Sequence, residues 1–81
     1  MLFGLNNEEL EYLKQCKEEL KNAIEKEDYH TLQNEMYFYL EEDDCMYYDE
    51  DDENWYTEKG RYIQSLYDKI INWYEETYES L

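Results

Sequence analysis

Proline and valine are absent from this chain, and glycine appears only as Gly4 and Gly60. Leu, Ile and Phe together number 15, so with valine missing these four types make up under a fifth of the 81 residues. So little aliphatic material, with a formal charge of −16, lies on the disordered side of the compositional line. Three features pull the other way: no proline, scarce glycine, and an aromatic content of 19%. Each buried ring removes roughly 150 to 250 Å² from water and stands in for missing aliphatics. One folded acidic helical domain over 1–81 is therefore expected, with a thin core. Four Ile and three Thr are the only β-branched residues, against plentiful Glu, Lys, Leu and Gln, and that balance favours helix over sheet.

Two further absences bear on compartment. Met1-Leu2-Phe3-Gly4-Leu5 has no basic n-region and is too short for the apolar core of a signal peptide. No run approaches the roughly 18 apolar residues of a membrane span. A cytoplasmic chain with Cys16 and Cys45 as reduced thiols is expected (the host cytoplasm, if a phage encodes it). Strong negative charge repels anionic membranes and nucleic acid alike, so no direct binding of either is expected.

Positive charge is the scarcest commodity. There are seven Lys and Arg in all, and between Lys26 and Lys59 only His30 interrupts their absence. That window, Glu27 to Glu58, holds 13 carboxylates. Its densest part runs Glu41-Glu42-Asp43-Asp44, then Cys45-Met46-Tyr47-Tyr48, then Asp49-Glu50-Asp51-Asp52-Glu53, with nine acids in 13 residues. Like charges within a Debye length of roughly 8 to 10 Å repel, and no internal partner is expected. The stretch is read as waiting for a basic partner.

Around it the periodicity predicts three helices. Asn6 and Glu9 have the spacing of a capping box, and Leu5 and Leu10 that of a hydrophobic staple. A stripe of Leu10, Leu13, Cys16, Leu20, Ala23 and Ile24 then predicts one continuous first helix, laced by the i,i+4 pairs Lys14–Glu18 and Lys21–Glu25. Asp28 caps a second helix over 30–42, with Tyr29, Leu32, Met36, Tyr39 and Leu40 on one face and Tyr37 and Phe38 off it. A third starts between Asn54 and Glu58 and runs to about Glu79, with Ile63, Leu66, Ile70, Trp73 and Thr77 as its stripe; Gly60 weakens its first turns. The fold expected is all-α, a small three-helix bundle with an acidic connecting stretch. The alternative is α+β, with a Tyr-rich hairpin at 36–48 in which Met36–Leu40 pairs with Cys45–Tyr48.

Catalytic and metal chemistry find little footing. An EF-hand loop begun at Asp49 places Asn54 where glycine is needed and Gly60 where the bidentate Glu belongs. Cys16, His30 and Cys45 stand about 14 residues apart, without the paired spacing of a zinc site. No Gly-rich phosphate loop and no Ser-His-Asp spacing is present. No enzyme activity, metal or cofactor is expected.

Binding fits better. Duplex DNA carries one charge per roughly 1.7 Å of axis, so −16 equals the charge of about 8 base pairs. Tyr and Trp supply rigid amphipathic anchors of the kind enriched in interfaces. In size, charge, lack of proline and acid runs with interleaved aromatics, the chain resembles the small acidic DNA-mimic inhibitors of phages and mobile elements, among them anti-CRISPR, anti-restriction and uracil-DNA glycosylase inhibitors. That resemblance implies occupancy of the basic nucleic-acid groove of a host defence protein, such as a CRISPR effector, a restriction enzyme or a repair enzyme. Tyr47-Tyr48 beside Asp49 to Glu53 is also similar to the Tyr-Tyr pair of bacteriocin-nuclease immunity proteins, which implies an immunity- or antitoxin-like blocker of a basic nuclease; an acidic interaction module is the plainer alternative. On any of these readings the partner-binding residues expected are Glu41, Glu42, Asp43, Asp44, Tyr47, Tyr48, Asp49, Glu50, Asp51, Asp52 and Glu53.

Overall fold

The computed structural model describes residues 2–48 and 54–79. In chain order they form α1 (Asn7–Cys16), α2 (Glu18–Glu25), α3 (Tyr29–Leu40), the strands β1 (Met46–Tyr48) and β2 (Asn54–Tyr56), α4 (Glu58–Tyr74), and a π-helical turn at Glu75–Glu79. The chain is mostly helical, as composition requires. It departs from the expectation in two places: four α-helices stand where three were expected, and a two-stranded antiparallel sheet is present.

The predicted caps explain the helix starts. Asn6 Oδ1 accepts from the Glu9 amide at 2.8 Å while the Asn6 amide donates to Glu9 Oε1 at 2.9 Å, which satisfies two of the donors that a helix start leaves free. Asp28 accepts from the Thr31 amide at 3.2 Å and from its hydroxyl at 2.7 Å. Thr57 caps α4, accepting from the Gly60 amide at 3.0 Å. Helix α2 ends in a Schellman arrangement. The Asp28 amide donates to Ala23 O and the Glu27 amide to Ile24 O, with Glu27 in the left-handed region at φ 53°, a place usually taken by glycine.

The expected first helix is two helices. Lys17 is extended, at φ −159° and ψ 140°, and ends α1 while opening α2. Nothing in Gln15–Glu19 breaks a helix. The break follows from packing: the turn lets α2 bury Leu20, Ala23 and Ile24, and each large apolar side chain so buried contributes about 1.5 to 3 kcal/mol, more than the backbone bonds lost at one residue. The turn also separates Lys14 from Glu18; the ion pair Lys14 makes is with Glu11, at 3.4 Å.

One core unites the elements. Leu13, Leu20, Ile24, Ile63, Leu66 and Ile70 are all buried in it, together with Phe3, Leu5, Leu32, Met36, Tyr39, Leu40 and Cys45. Tyr12 of α1 meets Tyr62 of α4 edge-on at 4.7 Å. Near the far end of α4, Tyr29 stacks on Tyr74 at 4.3 Å and Phe3 meets Trp73 edge-on. Residues 36–40 lie within α3, so the alternative hairpin at 36–48 is not formed. Cys45 is buried, in keeping with its reading as core filler, and Cys16 is half-buried.

Candidate functional site

The acidic stretch leaves α3 through a hydrogen-bonded turn. The Glu41 and Glu42 amides donate to Phe38 O and Tyr39 O, and the Cys45 and Met46 amides both donate to Glu42 O. Four acids therefore sit on consecutive hydrogen-bonded turns, and Glu41, Glu42, Asp43 and Asp44 are all exposed. Cys45 inserts into the core behind them, and burial pushes its thiol up to about 11.

The start of α4 holds this turn in place. The Thr57 hydroxyl donates to Asp44 O at 2.7 Å and the Thr57 amide to Cys45 O at 2.9 Å. Gly60 is buried against the same segment: a Cβ built on it would lie 2.0 Å from Cys45 O. The residue read as a weak point in a helix is the one that lets α4 seat on the acidic turn.

The expectation that these acids have no internal partner fails at two positions. Lys17, extended at the helix break, donates to Glu42 Oε1 at 3.1 Å and stands 4.0 Å from Glu35; the Glu42 hydrogen bond holds the Lys17 ammonium above its usual range. Lys59 lies 3.9 Å from Asp44 and 5.4 Å over the ring of Tyr39. Tyr39, ahead of other groups, keeps the Lys59 ammonium above the usual lysine range. Both cations reach the turn from distant sequence, 25 and 15 residues away, which inspection of the basic gap overlooks. Such exposed pairs are each worth about 0 to 1 kcal/mol and leave the carboxylates within reach of a stronger partner.

Beyond the turn the chain forms the hairpin. Met46 pairs with Tyr56, Tyr47 with Trp55, and Tyr48 with Asn54. Directly opposed residues share a face, so Tyr47 and Trp55 stand side by side, 49% and 44% exposed. The register is symmetric about Asp51, and the residues joining the two strands in sequence are Asp49-Glu50-Asp51-Asp52-Glu53. Those five predicted contact residues lie outside the described residues. Trp55 and Tyr56 are the functional candidates that helical reasoning missed. Their signal was present: Tyr47-Tyr48 and Trp55-Tyr56 lie on either side of the five acids and Asn54, and Tyr and Trp favour strands.

Of the predicted residues, then, Glu41, Glu42, Asp43, Asp44 and Tyr47 are exposed along one turn and strand, while Tyr48 pairs in β1. Among the described residues no group of three or more His, Cys, Asp or Glu is placed to hold a metal ion, and no described helix is long and apolar enough to cross a membrane. Compared with known proteins, the chain matches no family model, no curated protein and no solved structure.

Proposed function

We propose that this chain is a non-enzymatic inhibitor that mimics nucleic-acid charge and occupies the basic nucleic-acid groove of a host defence protein, in the manner of an anti-CRISPR or anti-restriction protein. The observation that carries this reading is the hairpin: two half-exposed rings, Tyr47 and Trp55, flank a connection made wholly of acids. Carboxylates meet the groove's Arg and Lys, and the rings provide the rigid anchors that carry most of an interface's energy. Spread over the 45 Å long axis, −16 is one net charge per about 2.8 Å, thinner than the roughly 1.7 Å of duplex DNA. The mimicry proposed is therefore local to the hairpin end rather than distributed over the whole molecule, whatever the helical bundle behind it.

The test compares two variants of equal charge against the partner recovered from a host lysate. Asp49, Glu50, Asp51 and Asp52 changed to Asn or Gln should weaken binding by several kcal/mol, since charge-assisted hydrogen bonds contribute roughly 1.5 to 3 kcal/mol each before non-additivity. Neutralising Glu8, Glu11, Glu18 and Glu25 removes as many charges and should matter much less. Duplex or single-stranded nucleic acid should compete with the protein for the same partner. Equal losses for both variants would reduce the effect to bulk charge. Simultaneous binding of nucleic acid and inhibitor would replace groove mimicry with an exosite blocker of the immunity type.

A further inference from the structure

Among the described residues the sheet has two strands, so β2 has one neighbour and one outer edge. The Thr57 amide donates to Cys45 O. In the register Met46–Tyr56, Tyr47–Trp55, Tyr48–Asn54, that bond makes Tyr47–Trp55 the pair that exchanges both backbone bonds. Met46–Tyr56 and Tyr48–Asn54 are then the pairs that exchange none. The amides and carbonyls of those four residues therefore point away from the ribbon. On β1 the acidic turn takes up the first of them, since the Met46 amide donates to Glu42 O. On β2, among the described residues, nothing outside the sheet bonds to the Asn54 or Tyr56 backbone. Asn54-Trp55-Tyr56 also carries neither proline nor lysine, the residues with which natural edges turn away a further strand. Trp55 and Tyr56 are both exposed.

Resting on the reading of the hairpin as the contact site, we infer that the partner supplies an extended basic segment, which adds to the outer edge of β2 as a third strand. The backbone fixes the geometry. A strand antiparallel to β2 meets the Asn54 and Tyr56 amides and carbonyls with its own. It also turns a two-stranded ribbon, marginal by itself, into a three-stranded sheet. Its residue opposite Trp55 continues the row begun by Tyr47 and Trp55, a place suited to a β-branched or aromatic side chain. Charge selects the occupant. In sequence, β2 is preceded by Asp49-Glu50-Asp51-Asp52-Glu53 and followed, past Thr57, by Glu58. Exposed Asp44, whose carbonyl accepts from the Thr57 hydroxyl, lies at the Glu58 end. Lys59, the cation at that end, is engaged by Asp44 and the Tyr39 ring. Acids at both ends of a three-residue strand favour Lys or Arg in the flanks of the incoming segment. A second copy of the chain would set the same acids against each other, and nucleic acid would bring phosphates and no strand.

Amide hydrogen exchange on the intact chain, read by NMR, decides it. The probe is the capped peptide Lys-Thr-Lys-Val-Lys-Thr-Lys, with spermine, of equal charge but without a backbone, as its control. Saturating peptide should slow exchange of the Asn54 and Tyr56 amides by about tenfold, and spermine should leave both unprotected. Tyr56→Pro removes one edge amide and keeps the preceding Trp55 in the extended region. It should weaken peptide binding more than about tenfold, with the Trp55 amide as protected as in the wild type. If proline disturbs the hairpin, N-methylation of the Tyr56 amide in a chemically synthesised chain makes the same test with the side chain kept. Absence of protection at Asn54 and Tyr56, equal protection by spermine, or full binding after N-methylation overturns the inference. So does protection that appears without peptide as protein concentration rises, which would give the edge to a second copy. The partner recovered from a host lysate separates this inference from the reading beneath it. If neutralising Asp49, Glu50, Asp51 and Asp52 abolishes that complex while Tyr56→Pro leaves it intact, the hairpin site stands and strand addition falls. If neither change weakens it, the hairpin reading itself falls.

Discussion

Glu9 carries more of this structure than a surface acid normally does. It closes the cap of α1 through Asn6 and reaches across to Lys69 of α4, tying the two ends of the chain together. Among the described residues it is also the one charged residue that is buried. The Lys69 hydrogen bond, followed by the Asn6 amide, holds its carboxyl below the usual Glu range. A depressed carboxyl contributes stability that is present above its unfolded pKa and is lost as pH falls through the folded one. For Glu9 the loss therefore begins as pH drops below 4.5. Glu9→Gln keeps an acceptor for the cap but exchanges a charged hydrogen bond for a neutral one. At pH 7 it should cost about 1 kcal/mol, or about 5 °C in Tm for a chain of this size. The Tm gap between wild type and variant should close as the pH is lowered from 5 to about 3; a gap of constant width would mean that the Glu9 charge contributes nothing.

At the scale of elements the informative junction is α4 on the acidic turn. Helix propensity alone predicts that Gly60→Ala stabilises by up to about 1 kcal/mol. The Cβ position 2.0 Å from Cys45 O predicts the opposite sign: the turn or the helix must shift, at about 2 to 3 kcal/mol. Thermal melting distinguishes the two directly. This junction also marks where the sequence stopped being legible. The caps at Asn6 and Asp28, the stripes of α3 and α4 and the place of Tyr37 and Phe38 off the α3 stripe could all be read, because they depend on neighbours within one or two turns. The break at Lys17, the seat made for Gly60 and the pairing of Tyr47 with Trp55 could not, because each is decided by a contact 8 or more residues away. The acid-rich site is visible as composition, but its geometry is not: Glu42 and Asp44 have cations that local inspection denies them, and Trp55 falls in the window where the spacing starts a helix but the chain forms a strand.

For the whole molecule, ionic strength separates two processes that both involve the same −16 charge. The fold confines 23 carboxylates against seven bases, and the described ion pairs involve only Lys14, Lys17, Lys59 and Lys69. Net repulsion is relieved on unfolding, so salt, by screening it, should raise Tm at pH 7. The surface pairs lost to screening are worth too little to reverse that sign. Binding of the hairpin to a basic groove brings opposite charges together and should weaken with salt, as nucleic acid itself does. One NaCl series on the wild-type chain, read by thermal melting and by partner affinity, should therefore give one rising curve and one falling curve. A Tm that falls with salt would mean that specific pairs, Lys17–Glu42 and Lys69–Glu9 foremost, outweigh the general repulsion. Partner affinity that holds steady would mean that Tyr47 and Trp55, and not the acids between them, make the contact.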